Sequence, residues 1–380
     1  MFRKALNAGP RLSVGVIRLI ASLSILLYLM MYAKAGVFLP EFVFRDSEKI
    51  QSQIGGSNTY QDTSFDAVAK FYASLGDLGT NVFVVSIGAL FIWLMVGSSK
   101  RLGGLLMNMV LIAPCVFFNL FVASKDTLVV LISVVLVLIA RRWSVVHVAL
   151  AAAVLYLGYA LTVRIYFVMI LAVAAGAWIF RSASLRLKTF LVLAGVAGLY
   201  LLPDATYYVL LHPRDMAVDY LVAGSPYGAR TGFYNLLEPT SFAAFCADYF
   251  YAILRLNVPV LFSPEPKEFV MLIFVWIAIG AVFGRKSGLA AGIDTRAMDV
   301  LASLVIGHMA VSMLFEPDLG SYTRHLSSVA LFCAWRLSAL AVRSRAPNGQ
   351  TPAGYPPVDS QPQSSAAQQR YGSTEEAFNP

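Results

Sequence analysis

Charged residues in this chain come in clusters, and the apolar runs between them are long enough to cross a bilayer, a pattern that leaves little besides a bundle of membrane helices. A crossing needs about 20 mostly apolar residues, and lipid offers no partner for exposed backbone groups, so each crossing must be helical. Cutting at the charge clusters gives ten segments, roughly 18–39, 80–97, 104–123, 127–140, 145–162, 166–180, 188–203, 268–284, 299–315 and 326–342. Composition agrees: 58% of the 380 residues are hydrophobic and 13% charged, against about 25% charged in soluble domains. The expected fold is an all-α integral membrane protein of about ten transmembrane helices. The N-terminus shows no small-residue cleavage site after its apolar stretch and reads as a retained first helix.

Orientation follows from where the basic residues fall. Arg3, Lys4 and Arg11 place the N-terminus in the cytoplasm, and alternation then puts Lys100/Arg101, Arg141/Arg142, Arg181/Arg186/Lys188, Arg285/Lys286/Arg296 and Arg343/Arg345 on that same side. Both ends are therefore expected to be cytoplasmic. The net charge of +8 expresses this orientation signal and does not imply nucleic acid. A further apolar stretch, 240–263, would carry Asp248 and Arg255 into lipid, at about 2.5–3.5 kcal/mol each at a helix centre. It is read as a helix on the outer surface.

Two longer external loops result, about 40–79 and 204–267, both with enough aromatic and apolar residues to fold against the bundle. The domain division is a polytopic membrane domain over 1–345 and a disordered cytoplasmic tail over 346–380, rich in Pro, Gln and Ser. No internal repeat of the kind seen in many secondary transporters is visible.

Once the orientation signals are set aside, the remaining polar residues gather on the outer face. Lys125 and Asp126 lie in one tight turn, Arg164 in another, and Glu316, Asp318, Arg324 and His325 in a short loop where Pro317 and Gly320 fit a rigid turn. Lys125, Arg164 and Arg324 are external cations, against the bias of every other short loop. Two readings stand side by side. Three cations around one cavity could hold a lipid-linked diphosphate; alternatively Lys125 pairs with Asp126, Arg164 snorkels to headgroups and Arg324 answers Glu316 or Asp318. Glu316, Asp318 and His325 are the candidates for proton transfer, with Asp318 also beside the cations as a substrate-binding candidate; alternatively they form a solvated loop with its own salt bridges. In the first loop Asp46, Glu48, Lys49, Asp62 and Asp66 could bind a metal, activate an acceptor hydroxyl or simply keep the loop solvated. His308 and Arg336 fall within spans and read as packed between helices and snorkelling inward. The three cysteines are far apart, and no HExxH, Walker A, GxSxG or paired CxxC sequence is present, so no metal or cofactor is expected.

The succession of RDSEKI, FNLFVASKDTL, TVRIYF and EPDLGSYTRHL resembles polytopic polymerases of bacterial O-antigen, capsule and exopolysaccharide loci, of the Wzy or EpsG type. The resemblance implies a multi-pass protein of the bacterial inner membrane that joins polyprenyl-diphosphate-linked oligosaccharide repeat units at the periplasmic face. Its partners would be that glycan lipid, the surrounding membrane lipids and other polysaccharide-assembly proteins. Such a reaction needs cations for the departing diphosphate, here Lys125, Arg164 and Arg324, and a base for the attacking hydroxyl, here His325, Asp126 or Glu316. Two other activities fit the layout: a GT-C-type glycosyltransferase using a polyprenyl-phosphate sugar, with Asp46 or Asp62 central, and a glycan-lipid transporter or flippase. A catalytically silent scaffold of the assembly machinery is a further class.

Overall fold

The computed structural model describes residues 2–224, 230–284 and 295–341. Arg285, Lys286, Arg343, Arg345 and the tail over 346–380 lie outside the described residues. All regular structure among the described residues is helical, apart from a single bridge between Arg11 and Arg101.

Each of the ten apolar segments is largely helical, the first and the tenth divided between two helices. A short α1 (Phe2–Leu6) precedes α2 (Val14–Ala33) and a single turn, α3 (Ala35–Phe38). The first long loop then folds into α4 (Arg45–Ile54) and the outer part of α5 (Ser64–Gly97). Gly76, at φ +67°, breaks α5 at a conformation that only glycine adopts cheaply. The outer part of the helix, near residues 64–75, is thereby set at an angle to the part that matches the predicted span. Four helices follow with tight connections: α6 (Leu102–Asn119), α7 (Lys125–Arg142), α8 (Val145–Thr162) and α9 (Phe167–Ser182). Ser124 starts α7 with a reciprocal cap to Thr127, the arrangement that satisfies orphan N–H groups at a helix start.

The second long loop is more helical than its sequence suggests. After α10 (Leu185–Tyr200) the chain turns by 91° into α11 (Asp204–Gly224), and α12 (Phe242–Asn257) follows. Then come α13 (Pro266–Phe283), α14 (Thr295–Phe315), α15 (Leu319–Ser328) and α16 (Ala330–Leu340). The tenth predicted segment is interrupted at Val329, between α15 and α16. Six helices, α2, α5, α6, α8, α13 and α14, are long and apolar enough to cross a membrane, and the bent pair α10 and α11 would make a seventh. The protein is an all-α membrane protein.

At the centre stands α14, packed by α8, α9, α11, α12, α13 and α16. Both of its ends are held by buried arginines. At one end Arg214 of α11 donates to the carbonyls of Met313 and Leu314, where the helix runs out of N–H partners. At the other, Asp299 lies 3.2 Å from Arg336 Nη1 and 3.9 Å from Arg181 Nη1. These two arginines also donate to Ala281 O (2.7 Å) and Val282 O (2.9 Å), the last turn of α13. That pairing explains Arg336: its charge sits against the negative end of a helix dipole, not in lipid.

The predicted sides of the bundle are kept apart. Residues 10–12 bond to 100–102 at one end, the end that also holds the Arg181–Asp299–Arg336 cluster, while the turns containing Asp126, Arg164 and Arg324 meet at the other. Asp248, which would be costly inside lipid, accepts hydrogen bonds from Leu236 N (2.8 Å) and Leu237 N (3.0 Å) and so organises the coil before α12.

Candidate functional site

A cavity of about 980 Å³ opens at the end where those turns meet. Its walls are α4, the last residues of α6, the C-terminal part of α11, the start of α13 and α15. Successive turns of α4 present Arg45, Lys49 and Ser52, at i, i+4 and i+7, with Asp46 and Glu48 beside them. Across the cavity lie Lys267, Glu268, Asp318 and Arg324. Aromatic side chains complete it: Tyr60, Tyr220, and Phe117 and Phe118 where α6 ends.

Behind Arg324 runs a buried ion network. Arg324 Nη1 lies 3.1 Å from Asp46 Oδ2 on the cavity wall, and its Nε lies 3.3 Å from Asp126 Oδ2. Asp126 is the hub. Its second oxygen is 3.1 Å from Arg164 Nη1, which also reaches Tyr166 Oη (2.8 Å) and His325 Nε2 (2.9 Å). Two hydrogens on that nitrogen are shared among three acceptors. Because a guanidinium can only donate, His325 Nε2 accepts, and the remaining ring N–H at Nδ1 points to Glu316, its close partner. Burial would push the Asp46 carboxyl up, but Arg324 first, and then Lys125, more than offset it and hold the group below its ordinary range. Asp46 is thus an anion at neutral pH.

A second, small cavity of about 10 Å³ lies on the bundle side of the network, lined by Asp126, Arg164, Tyr166, His308, Ser312 and His325. It has room for a single water. His308 is tied to Tyr156 Oη at 2.9 Å, a partner within the bundle as its sequence position implied.

The structure brings Asp126, Arg164, Glu316, Arg324 and His325 together, though far apart in sequence, but not as three cations around one cavity. Only Arg324 of the three external cations faces the large cavity; Arg164 lies behind Asp126. Lys125 turns the other way: its Nζ sits 3.5 Å from the centroid of the Phe65 ring and 3.3 Å from Ser64 Oγ. The alternative pairings are corrected too. Lys125 makes no ion pair with Asp126, and Arg324 is answered by Asp46 and Asp126, not by Glu316 or Asp318. Asp318 accepts from Ser321 N (3.0 Å) and Ser321 Oγ (2.8 Å) and so caps α15 at the cavity edge.

Two features escaped the sequence. The link from Asp46 to Arg324 spans 278 positions, and no spacing rule reaches that far. Arg45 and Lys267 also line the cavity, and neither was singled out by the sequence; the i, i+4 spacing of Arg45 from Lys49 was the available signal. Searches of protein-family models, curated proteins and solved structures give no match for this chain.

Proposed function

We propose that this protein is a multi-pass enzyme of the bacterial inner membrane that joins polyprenyl-diphosphate-linked oligosaccharide units at the outer face. The proposal includes a topology of ten crossings with both ends in the cytoplasm, supported by the helical structure of the ten apolar segments, of which six to seven helices are long and apolar enough to cross, and by the separation of the two sets of turns to opposite ends. One observation carries the reading: a cavity large enough for a glycan, with Arg324 in its wall fixed by buried Asp126 behind it and by Asp46 beside it in the wall. A guanidinium held in advance of the reaction stabilises charge that develops on a departing diphosphate without reorganisation. Aromatic faces beside charged groups suit a sugar, whose ring has both an apolar face and a polar edge.

The roles differ from those the sequence suggested. Arg324 and Asp46 face the cavity, so they are the candidates for leaving-group stabilisation and for accepting the proton of the attacking hydroxyl. In that step the hydroxyl oxygen bonds to the anomeric carbon, the bond from that carbon to the diphosphate breaks, and the proton passes to the Asp46 carboxylate. Asp126, Arg164, His325 and Glu316 act as positioning residues. Deletion followed by gel analysis of surface glycans tests the proposal: loss of long chains with single repeat units retained is the expected result, and an unchanged ladder refutes it.

A GT-C-type glycosyltransferase is the second reading, favoured by one observation, that Asp46 of the first loop faces the cavity. Because Asp46 also anchors Arg324, its substitution affects both readings. Product analysis separates them, since a GT-C enzyme adds one sugar from a monosaccharide donor whereas a polymerase moves whole repeat units.

A further inference from the structure

Lys49 differs from the other charged groups of the cavity whose partners are visible. Asp46 is bound to Arg324, Glu268 to Arg230, and Asp318 to the start of α15. Lys49 has no carboxylate at ion-pair distance among the described residues. Its ammonium instead sits among three rings, 5.0 Å from the centroid of Tyr220, 5.2 Å from Phe65 and 5.8 Å from Tyr60. These rings come from both external segments, Tyr60 and Phe65 from the first and Tyr220 from α11. Tyr60, Tyr220 and Lys49 all open on the cavity.

Such an arrangement discriminates between ligands. Aromatic faces attract the ammonium only weakly at a half-exposed site, so its capacity to meet an anion is largely unused. A carboxylate reaching it would gain a charge-assisted hydrogen bond with no internal partner to displace. The same rings offer flat apolar surfaces to the C–H face of a pyranose. Glu48, the remaining carboxylate of this α4 face, is exposed and so well screened.

We infer that Lys49 with Tyr60 and Tyr220 forms a subsite for an acidic sugar, a pyranose bearing a carboxylate, within the glycan. This inference rests on the glycan reading of the cavity and sharpens it, since that reading alone is indifferent to the charge of the sugars.

Binding of two disaccharides to the full chain in nanodiscs decides the matter. Glucuronosyl-β-1,4-glucose and cellobiose differ only in a carboxylate replacing a hydroxymethyl group. The acidic disaccharide is expected to bind about ten-fold more tightly at low salt, as one charge-assisted hydrogen bond implies, and the ratio should shrink as salt is added. Lys49→Gln should bring the ratio to about one, Lys49→Arg should keep it, and Tyr220→Ala should weaken both ligands together, by about ten-fold for the loss of one stacking ring. Equal affinities in the unaltered protein overturn the subsite while leaving the glycan reading intact, as does a preference that survives Lys49→Gln. Failure of the unaltered protein to bind either sugar overturns both.

Discussion

The two ends of this bundle hold ion clusters built from the same residue types with opposite outlooks. At the end away from the cavity Arg181 and Arg336 share Asp299 and each donates to one of the last carbonyls of α13. At the cavity end Arg164 and Arg324 share Asp126, but Arg324 reaches onward to Asp46 in the cavity wall. The first cluster closes on backbone and so joins helices. The second closes on side chains and leaves a guanidinium facing open space. The contrast teaches that a buried arginine is not itself a functional signal; what its last donor faces decides the reading.

The comparison breaks most readily at Asp126. Asp126→Ala leaves Arg164 and Arg324 without their shared carboxylate and should cost about 3–5 kcal/mol of stability, read as a lower melting temperature in nanodiscs, with loss of long glycan chains. Next in size is Arg324→Gln, where the effect should lie in chemistry: chain elongation is expected to fall about 100-fold. Asp126 keeps Arg164 as its partner and the Asp46 pair is only partly buried, so its melting temperature should fall less than that of Asp126→Ala. If Arg336→Gln lowers elongation per folded molecule as much as Arg324→Gln does, the two clusters do not differ in role. Asp299→Ala should cost less than Asp126→Ala, about 1–3 kcal/mol, because Arg181 and Arg336 keep their carbonyl partners; an equal loss would remove the distinction.

The smallest effect concerns pH. Asp46 has a lowered pKa in the folded protein, so its contribution to stability is present above the unfolded value of about 3.9 and is lost as pH falls through the folded one. The melting-temperature gap between the unaltered protein and Asp46→Asn should therefore stay constant from pH 8 to 5 and close only in stronger acid. A gap that closes between pH 7 and 5 would detach Asp46 from Arg324.

Helix positions were legible because charges punctuate apolar runs, and the positions of all ten segments survive in the structure. The breaks at Gly76 and Val329 were not, since neither residue alters hydropathy. Nor was α11, whose charges and Pro213 mark it as a loop until Arg214 is seen reaching the end of α14. In the site, topology flagged Asp126, Arg164, Glu316, Arg324 and His325 by their side of the membrane. It could not say which cation faces the cavity. That depends on side-chain direction: Lys125 and Asp126 are neighbours in sequence, yet one turns to Phe65 and the other to two arginines.

The span of 278 positions between Asp46 and Arg324 also bears on biogenesis. Asp126 and Arg164 leave the ribosome long before Arg324, and α14, which brings Glu316, emerges only after all but the last two described helices. During synthesis the early carboxylates and arginines must wait at the membrane surface, with water or headgroups as temporary partners. The site closes when α15 docks, so a nascent chain stopped just short of α15 would hold nearly every helix of the bundle and still expose an incomplete charge network to quality-control proteases.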